Sequence, residues 1–76
     1  MRDRVRQAMA NVWNVSTNEI PDDADSTSMP GWDSLRHLEL MLELEMSFGV
    51  QIPAAELAEL RSIDAIEDTL REHGAV

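Results

Sequence analysis

The chain has 76 residues, no cysteine and a formal net charge of −9, with 15 acidic and 6 basic residues. A domain of this size buries only about 60% of the surface of its unfolded chain, which leaves little room for both a core and an enzymatic pocket. The acidic balance disfavours nucleic acid and anionic lipid and favours basic protein partners, and the lack of cysteine excludes disulfides and thiolate metal sites.

The first predicted element is an amphipathic helix over residues 2–15. Apolar residues recur at helical spacing along it, at Val5, Ala8, Met9, Val12 and Trp13. Charged residues interrupt this segment, so it contains no apolar core of a signal peptide, and no stretch reaches membrane-spanning length. We therefore expect a cytoplasmic protein that does not insert into membranes.

Residues 16–33 are predicted to form a long ordered loop. The segment contains two prolines, one glycine and many Ser, Thr, Asn and Asp residues, which favour turns over helix. A connection of this length is unusual in a compact domain unless it is functional. Ile20, Met29 and Trp32 are the residues expected to attach it to the core.

The longest helix is predicted to follow this loop. Asp33 or Ser34 can cap its start, and Gly49 offers a left-handed conformation at its end. Winding residues 35–48 at about 100° per residue separates the apolar side chains into two stripes. The stripe assigned to the core has His37 at its edge and consists of Leu40, Met41, Leu44 and Phe48.

The second stripe is predicted to be a partly exposed docking face, because it begins beside Ser34 and is interleaved with Glu39 and Glu45. Its apolar residues are Leu35, Leu38, Leu42 and Met46, and Ile52 is assigned to the same face. The alternative is that the loop and the neighbouring helices bury both stripes.

Two shorter helices complete the predicted order. Pro53 suits the start of a short third helix that continues through Leu60. Ser62 caps a fourth helix, which stops at Gly74 and turns inward the side chains of Ile63, Ile66 and Leu70. The sequence has no internal repeat and no strand-like segment longer than residues 50–52, so it predicts an all-α fold in one domain, residues 1–76.

The residues with chemical potential lie where the long loop meets the longest helix, in Gly31-Trp32-Asp33-Ser34-Leu35. The backbone N–H groups and the macrodipole at a helix start favour an anion attached to a hydroxyl there, such as a phosphodiester. Taken alone, an Asp-Ser pair before a helix is most often only a cap.

Other site chemistries do not fit these residues. Asp33, Ser34 and His37 are the residue types of a hydrolytic triad, but so small a bundle offers no pocket or oxyanion donors. An EF-hand alignment of the loop aspartates puts Ser28 where glycine is needed and Ser34 where the bidentate glutamate belongs. His37 and His73 lie on different predicted helices without cysteine ligands, so no metal site is expected, and His73 suits a helix C-terminus.

The segment from Gly31 to Pro53, GWDSLRHLELMLELEMSFGVQIP, closely resembles the phosphopantetheine-attachment segment of the acyl and peptidyl carrier protein family. The shared features are the Asp-Ser-Leu triplet, the Leu-Glu-Leu run at 38–40, the Leu-Glu and Phe-Gly pairs, and the Ile-Pro step at 52–53. An Ile-Pro-Asp sequence at 20–22 also matches, so the resemblance covers nearly the whole chain.

The resemblance implies a four-helix bundle with a long first loop and a short third helix. It also implies a 4′-phosphopantetheine arm, donated by coenzyme A and attached to Ser34 by a separate phosphopantetheinyl transferase, with Asp33 and Leu35 flanking the site. Ser34 would be an acceptor, and the chain would carry an acyl or aminoacyl thioester without catalysing a reaction. The implied partners are the transferase, an acyl-loading ligase or acyltransferase, and downstream synthases or transferases with basic patches that dock a monomeric carrier.

Three residues bear on the pathway. Arg36 and Met46 occupy positions that are commonly acidic or polar in carriers of primary fatty-acid synthesis. Trp32, directly before Asp33, makes the attachment segment similar to that of discrete carriers in polyketide, aminoacyl or related specialised pathways. The alternative from another functional class is an acidic helical interaction domain without a prosthetic group, in which Ser34 only caps the helix.

Overall fold

The structure, a computed structural model, describes residues 1–74 and confirms the all-α class. Four α-helices follow in chain order: α1 (Arg2–Trp13), α2 (Ser34–Phe48), α3 (Ala54–Leu57) and α4 (Ile63–Glu72). Within residues 1–74 there is no strand, only an isolated bridge between Asp25 and Ser62. No described helix is long and apolar enough to cross a membrane.

The helix α1 packs against both α2 and α4. Val5, Ala8 and Met9 are fully buried, which confirms the predicted apolar stripe. The helix ends at Trp13 instead of continuing to residue 15, because Asn14 adopts a left-handed conformation with φ 57°. This residue terminates α1 and turns the chain into the long loop.

The long loop is ordered, and its apolar residues belong to the core. Ile20 and Trp32 are buried, and Met29 packs against the core, as the sequence predicts. A 3-10 helix at Thr17–Glu19, which the sequence analysis did not predict, forms the first part of the loop. The Glu19 carboxylate accepts a hydrogen bond from the backbone N–H of Ser16 at 2.8 Å and stabilises that turn.

Arginine side chains attach neighbouring segments to one another through backbone carbonyls. From α1, Arg6 Nε donates to the carbonyl of Ile20 at 2.9 Å, and Arg2 donates to that of Asp22 at 2.7 Å. Arg4 donates to the carbonyl of Ser47 at the end of α2, at 2.6 Å. These bonds hold the loop and the end of α2 against α1.

The helix α3 is shorter than predicted. It ends at Leu57, whereas the sequence suggested that it continues through Leu60. The chain leaves the helix because the next residues turn to meet the long loop, where Ser26 N–H bonds the carbonyl of Arg61 at 2.9 Å. Leu60 is buried, but it lies in this turn, outside the helix.

Asp25 organises the part of the loop that meets α4. One carboxylate oxygen accepts hydrogen bonds from the hydroxyl of Thr27 at 2.6 Å, the N–H of Thr27 at 2.9 Å and the N–H of Ser28 at 2.8 Å. The Thr27 hydroxyl, followed by the N–H groups of Ser28 and Thr27, lowers the pKa of Asp25 below its ordinary value. The charged form is therefore favoured in the folded state.

Replacing Asp25 by Asn should destabilise the domain in a pH-dependent way. Because the folded pKa lies below 3.8, the carboxylate stabilises the fold above that pH and loses its effect as the pH falls through the folded pKa. The melting temperature of Asp25→Asn should fall below wild type at neutral pH, and the difference should shrink in acid. Asp23→Asn, an exposed aspartate of the same loop, is the control and should show no such trend. A difference for Asp25→Asn that is the same at both pH values would contradict this prediction.

Candidate functional site

The start of α2 is capped by Asp33. This residue is extended, with φ −100° and ψ −176°, and its Oδ1 accepts a hydrogen bond from the N–H of Arg36 at 2.8 Å. Of the two caps that the sequence allows, the structure therefore uses Asp33, and Ser34 is the first residue of the helix. Ser34 is free of the capping role.

The side chain of Ser34 is exposed. Its hydroxyl makes no hydrogen bond to any of residues 1–74, and the residue begins the first turn of α2, where backbone N–H groups lack partners within the helix. A phosphodiester on this hydroxyl would leave the core undisturbed, and the helix start would favour its negative charge. The residues present thus fit a phosphate-linked group at Ser34.

Trp32 anchors the loop directly before this site. Its indole is buried, and Nε1–H donates to Nδ1 of His37 at 2.9 Å. Trp13 on α1 meets the Trp32 ring edge-on, with centroids 5.6 Å apart, and donates its own Nε1–H to the carbonyl of Pro30 at 2.8 Å. The Trp13 indole therefore holds the loop at Pro30, whereas the Trp32 bond alone spans the start of α2.

His37 has both ring nitrogens engaged away from Ser34. Its Nδ1 accepts from Trp32, and its Nε2 lies 2.7 Å from the carbonyl oxygen of Leu57. Since Asp33 is likewise occupied as the cap, the three residue types of a hydrolytic triad are present without the triad geometry. His37 is a buried structural residue with no hydrogen bond to the Ser34 hydroxyl.

The two stripes of α2 differ in burial as its winding predicts, except that Phe48, assigned to the core stripe, is only half-buried. Leu40, Met41 and Leu44 are buried, whereas the exposed fractions on the opposite side are large. They are 68% for Leu35, 51% for Leu38, 53% for Leu42 and 80% for Met46. These four residues, together with the exposed Glu39, are called here the exposed face of α2, and it begins next to Ser34.

Two residues assigned to this face have other roles. Ile52 is only 7% exposed and packs in the core, although it also lines an open groove beside the end of α2, so its place on the docking face stays a prediction. The segment after Gly49 folds back over the end of α2, and the Glu45 carboxylate accepts the backbone N–H of Ile52 at 2.7 Å. Glu45 is half-buried and fixes this turn, so it is not only a surface charge.

The exposed face continues into an open groove of about 720 Å³ beside the end of α2. The residues that line it include Leu42, Met46, Val50, Ile52, Pro53 and His73. His73 Nε2 lies 3.1 Å from a carboxylate oxygen of Glu56 and thereby connects α4 to α3, a contact that the sequence analysis missed. Nothing in residue spacing indicates it, because the two residues come from different helices.

No group of three or more His, Asp or Glu side chains among residues 1–74 is placed to hold a metal ion.

Comparison with known proteins shows which protein family this chain matches. Residues 3–70 match the family described as the phosphopantetheine attachment site. The matched range contains the capped start of α2, the exposed hydroxyl of Ser34 and the exposed face of α2.

Similar proteins include carriers from several sources. The chain is 32% identical over 69 residues to the polyketide-8 synthase acyl carrier protein 2 of Streptomyces avermitilis, covering 91% of this chain and 79% of that protein. It is 35% identical over 66 residues to an anthracycline acyl carrier protein of a Streptomyces species, covering 82% of this chain and 71% of that one. The mitochondrial acyl carrier protein 2 of Arabidopsis thaliana is 32% identical over 71 residues, which cover 93% of this chain and 56% of that protein.

The two faces of α2 should respond differently to truncation. Leu44→Ala should cost about 2–5 kcal/mol of unfolding free energy, because it opens a cavity in the core. Leu42→Ala, the same substitution on the exposed face, should change stability by no more than about 0.5 kcal/mol. Urea denaturation followed by circular dichroism measures both. Equal destabilisation by the two variants would show that the faces are wrongly assigned.

Proposed function

Since this chain belongs to the phosphopantetheine attachment-site family of acyl carrier proteins, we propose that it carries an acyl group as a thioester on a 4′-phosphopantetheine arm attached to Ser34. The observation that carries the proposal is the exposed, unbonded hydroxyl of Ser34 at the capped start of α2. When bound, the group supplies the terminal thiol that holds the cargo.

The chain's own contribution is presentation and not catalysis. Asp33 satisfies the helix start, so the Ser34 hydroxyl can be modified without loss of the cap. His37 is committed to Trp32 and Leu57, which leaves it unavailable as a base for the Ser34 hydroxyl. A tethered thioester reaches each docked enzyme at a high effective concentration, which is the physical advantage of such a carrier.

Partner enzymes are proposed to dock on the exposed face of α2. Its four apolar side chains offer contact area, and Glu39 adds negative charge between them. The formal net charge of −9 steers the protein towards basic surfaces at long range. We infer that the transferase, the loading enzyme and the downstream synthase or transferase each present a basic patch.

The pathway is proposed to be a specialised polyketide, aminoacyl or fatty-acyl route. Trp32 before the attachment triplet supports this assignment, and two of the similar proteins are named for polyketide-8 and anthracycline products. The cargo itself is selected by the enzyme that loads the carrier.

Replacing Ser34 by Ala should give a folded protein that cannot be modified. Because Asp33 is the cap, the substitution removes no helix-capping bond, and the melting temperature should stay close to that of wild type. Intact mass after incubation with coenzyme A and a broad-specificity transferase should show one added phosphopantetheine on wild type and none on Ser34→Ala. Ser47→Ala, an exposed serine at the other end of α2, is the control and should be modified normally.

Either of two results would contradict this proposal. One is a folded wild-type protein that gains no mass, as expected for an acidic interaction domain without a prosthetic group. The other is full modification of Ser34→Ala, which would place the attachment elsewhere.

Replacing Glu39 by Lys should slow modification severalfold at low ionic strength, because it reverses a charge on the face proposed to meet basic partners. Salt should reduce the difference from wild type. Glu39 is the cleaner position to test, since Glu45→Lys would also remove the bond to Ile52. Asp3→Lys makes the same charge change on α1, with a 94% exposed carboxylate, and should have a smaller effect. Equal rates for Glu39→Lys and wild type at every ionic strength would contradict docking through this face.

A further inference from the structure

A buried side-chain hydrogen bond spans the proposed attachment residue. Trp32 lies two residues before Ser34 and His37 three residues after it, and their 2.9 Å bond closes the chain on itself around the helix start. Their rings are also stacked, with centroids 6.2 Å apart and an interplanar angle of 27°. Both residues are only 7% exposed.

The two bonds of His37 define its protonation. An indole Nε1–H can only donate, so Nδ1 of His37 must be an unprotonated acceptor. A backbone carbonyl can only accept, so Nε2 must carry the proton that it donates to Leu57. The ring is therefore the neutral Nε2–H tautomer.

This ring joins three separate segments. Trp32 belongs to the end of the long loop, His37 to the first turns of α2, and Leu57 is the last residue of α3. The Leu57 carbonyl also accepts the backbone N–H of Leu60 at 3.3 Å, so His37 is its second donor. The residues between Trp32 and His37 are further held by the bond from Arg36 N–H to the Asp33 carboxylate. Among the polar side chains of residues 32–37, only the Ser34 hydroxyl makes no hydrogen bond to residues 1–74.

We propose that Trp32 and His37 are positioning residues for the modification of Ser34: their hydrogen bond restrains the backbone from which the Ser34 hydroxyl projects towards the docked transferase, and it links that backbone to α3. The inference rests on the proposed function, because it concerns how Ser34 is presented and not whether it is modified. Neither residue reaches the reacting atoms.

Loss of the bond should affect turnover more than docking. The exposed face of α2 lies opposite the core side on which His37 is buried, so partner affinity should be retained. Within the docked complex, the Ser34 hydroxyl would spend less time in the reactive orientation. We expect kcat of the transferase reaction to fall about three- to tenfold, while KM stays nearly unchanged. A factor of this size corresponds to the net free energy of one neutral hydrogen bond.

The test uses Trp32→Phe, which keeps an aromatic ring in the core and removes the donor, and His37→Leu, which removes the acceptor. If the bond is the cause, the double variant should be no slower than either single variant, because each already lacks the bond. His37→Gln, which retains one donor and one acceptor, should recover part of the lost kcat.

Trp13→Phe is the matched control. It removes the same kind of bond, from an indole N–H to Pro30, but that bond does not span Ser34. Its melting temperature should fall by an amount similar to that of Trp32→Phe while kcat stays near wild type. If Trp13→Phe lowers kcat as much as Trp32→Phe, general loosening of the loop explains the effect and the proposal is overturned.

Two measurements on the unmodified protein separate this proposal from the function on which it rests. ¹⁵N NMR of His37 should show a protonated Nε2 and an unprotonated Nδ1, and a different tautomer would refute the bond. Hydrogen exchange at the amides of Arg36 and His37 should accelerate in Trp32→Phe while that of Ile66 in α4 does not. Failure of wild type to accept phosphopantetheine would reject the proposed function alone, whereas wild-type kcat for folded Trp32→Phe would reject the positioning role alone.

Discussion

Burial of only one side of α2 is the constraint on which the remaining structure depends. Leu40, Met41 and Leu44 supply much of the apolar area that a small domain can bury, and α1 packs directly against this helix. No element within residues 1–74 covers the opposite side, so Leu42 and Met46 are exposed there at a cost in hydrophobic free energy. An exposed apolar strip beside an available hydroxyl is consistent with the docking role proposed for this face.

The site is attached to the core although it lies at the end of a long loop. Loops without regular structure are usually the mobile parts of a domain, but this one contributes Ile20 and Trp32 to the core. Arginines of α1 and the bridge to Ser62 restrain it at further points. Order in the loop therefore comes from contacts distant in sequence, and it places Asp33 where it can cap α2. The Ser34 hydroxyl is consequently mobile only about its own side-chain bonds.

Several basic side chains are engaged within the molecule, whereas many carboxylates remain on its surface. The basic side chains of α1 are used internally, since Arg4 and Arg6 donate to backbone carbonyls of other segments. Arg36 on α2 is likewise directed to the carbonyl of Val12 at 3.1 Å and lies over the Trp13 ring. With these cations engaged, carboxylates dominate the exposed surface, and the field that partners meet is negative.

The sequence by itself determined the helices, the capped start of α2 beside Ser34 and the two stripes of α2, because each follows from local periodicity and capping chemistry. Tertiary structure alone decided that Ile52 is buried, that α3 stops at Leu57, and that His37 is shared between Trp32 and Leu57. Each of these features depends on where the chain returns after a turn. Residue spacing along one helix carries no information about a hydrogen-bond partner that another segment brings from 20 residues away, and only packing of the whole domain fixes that meeting.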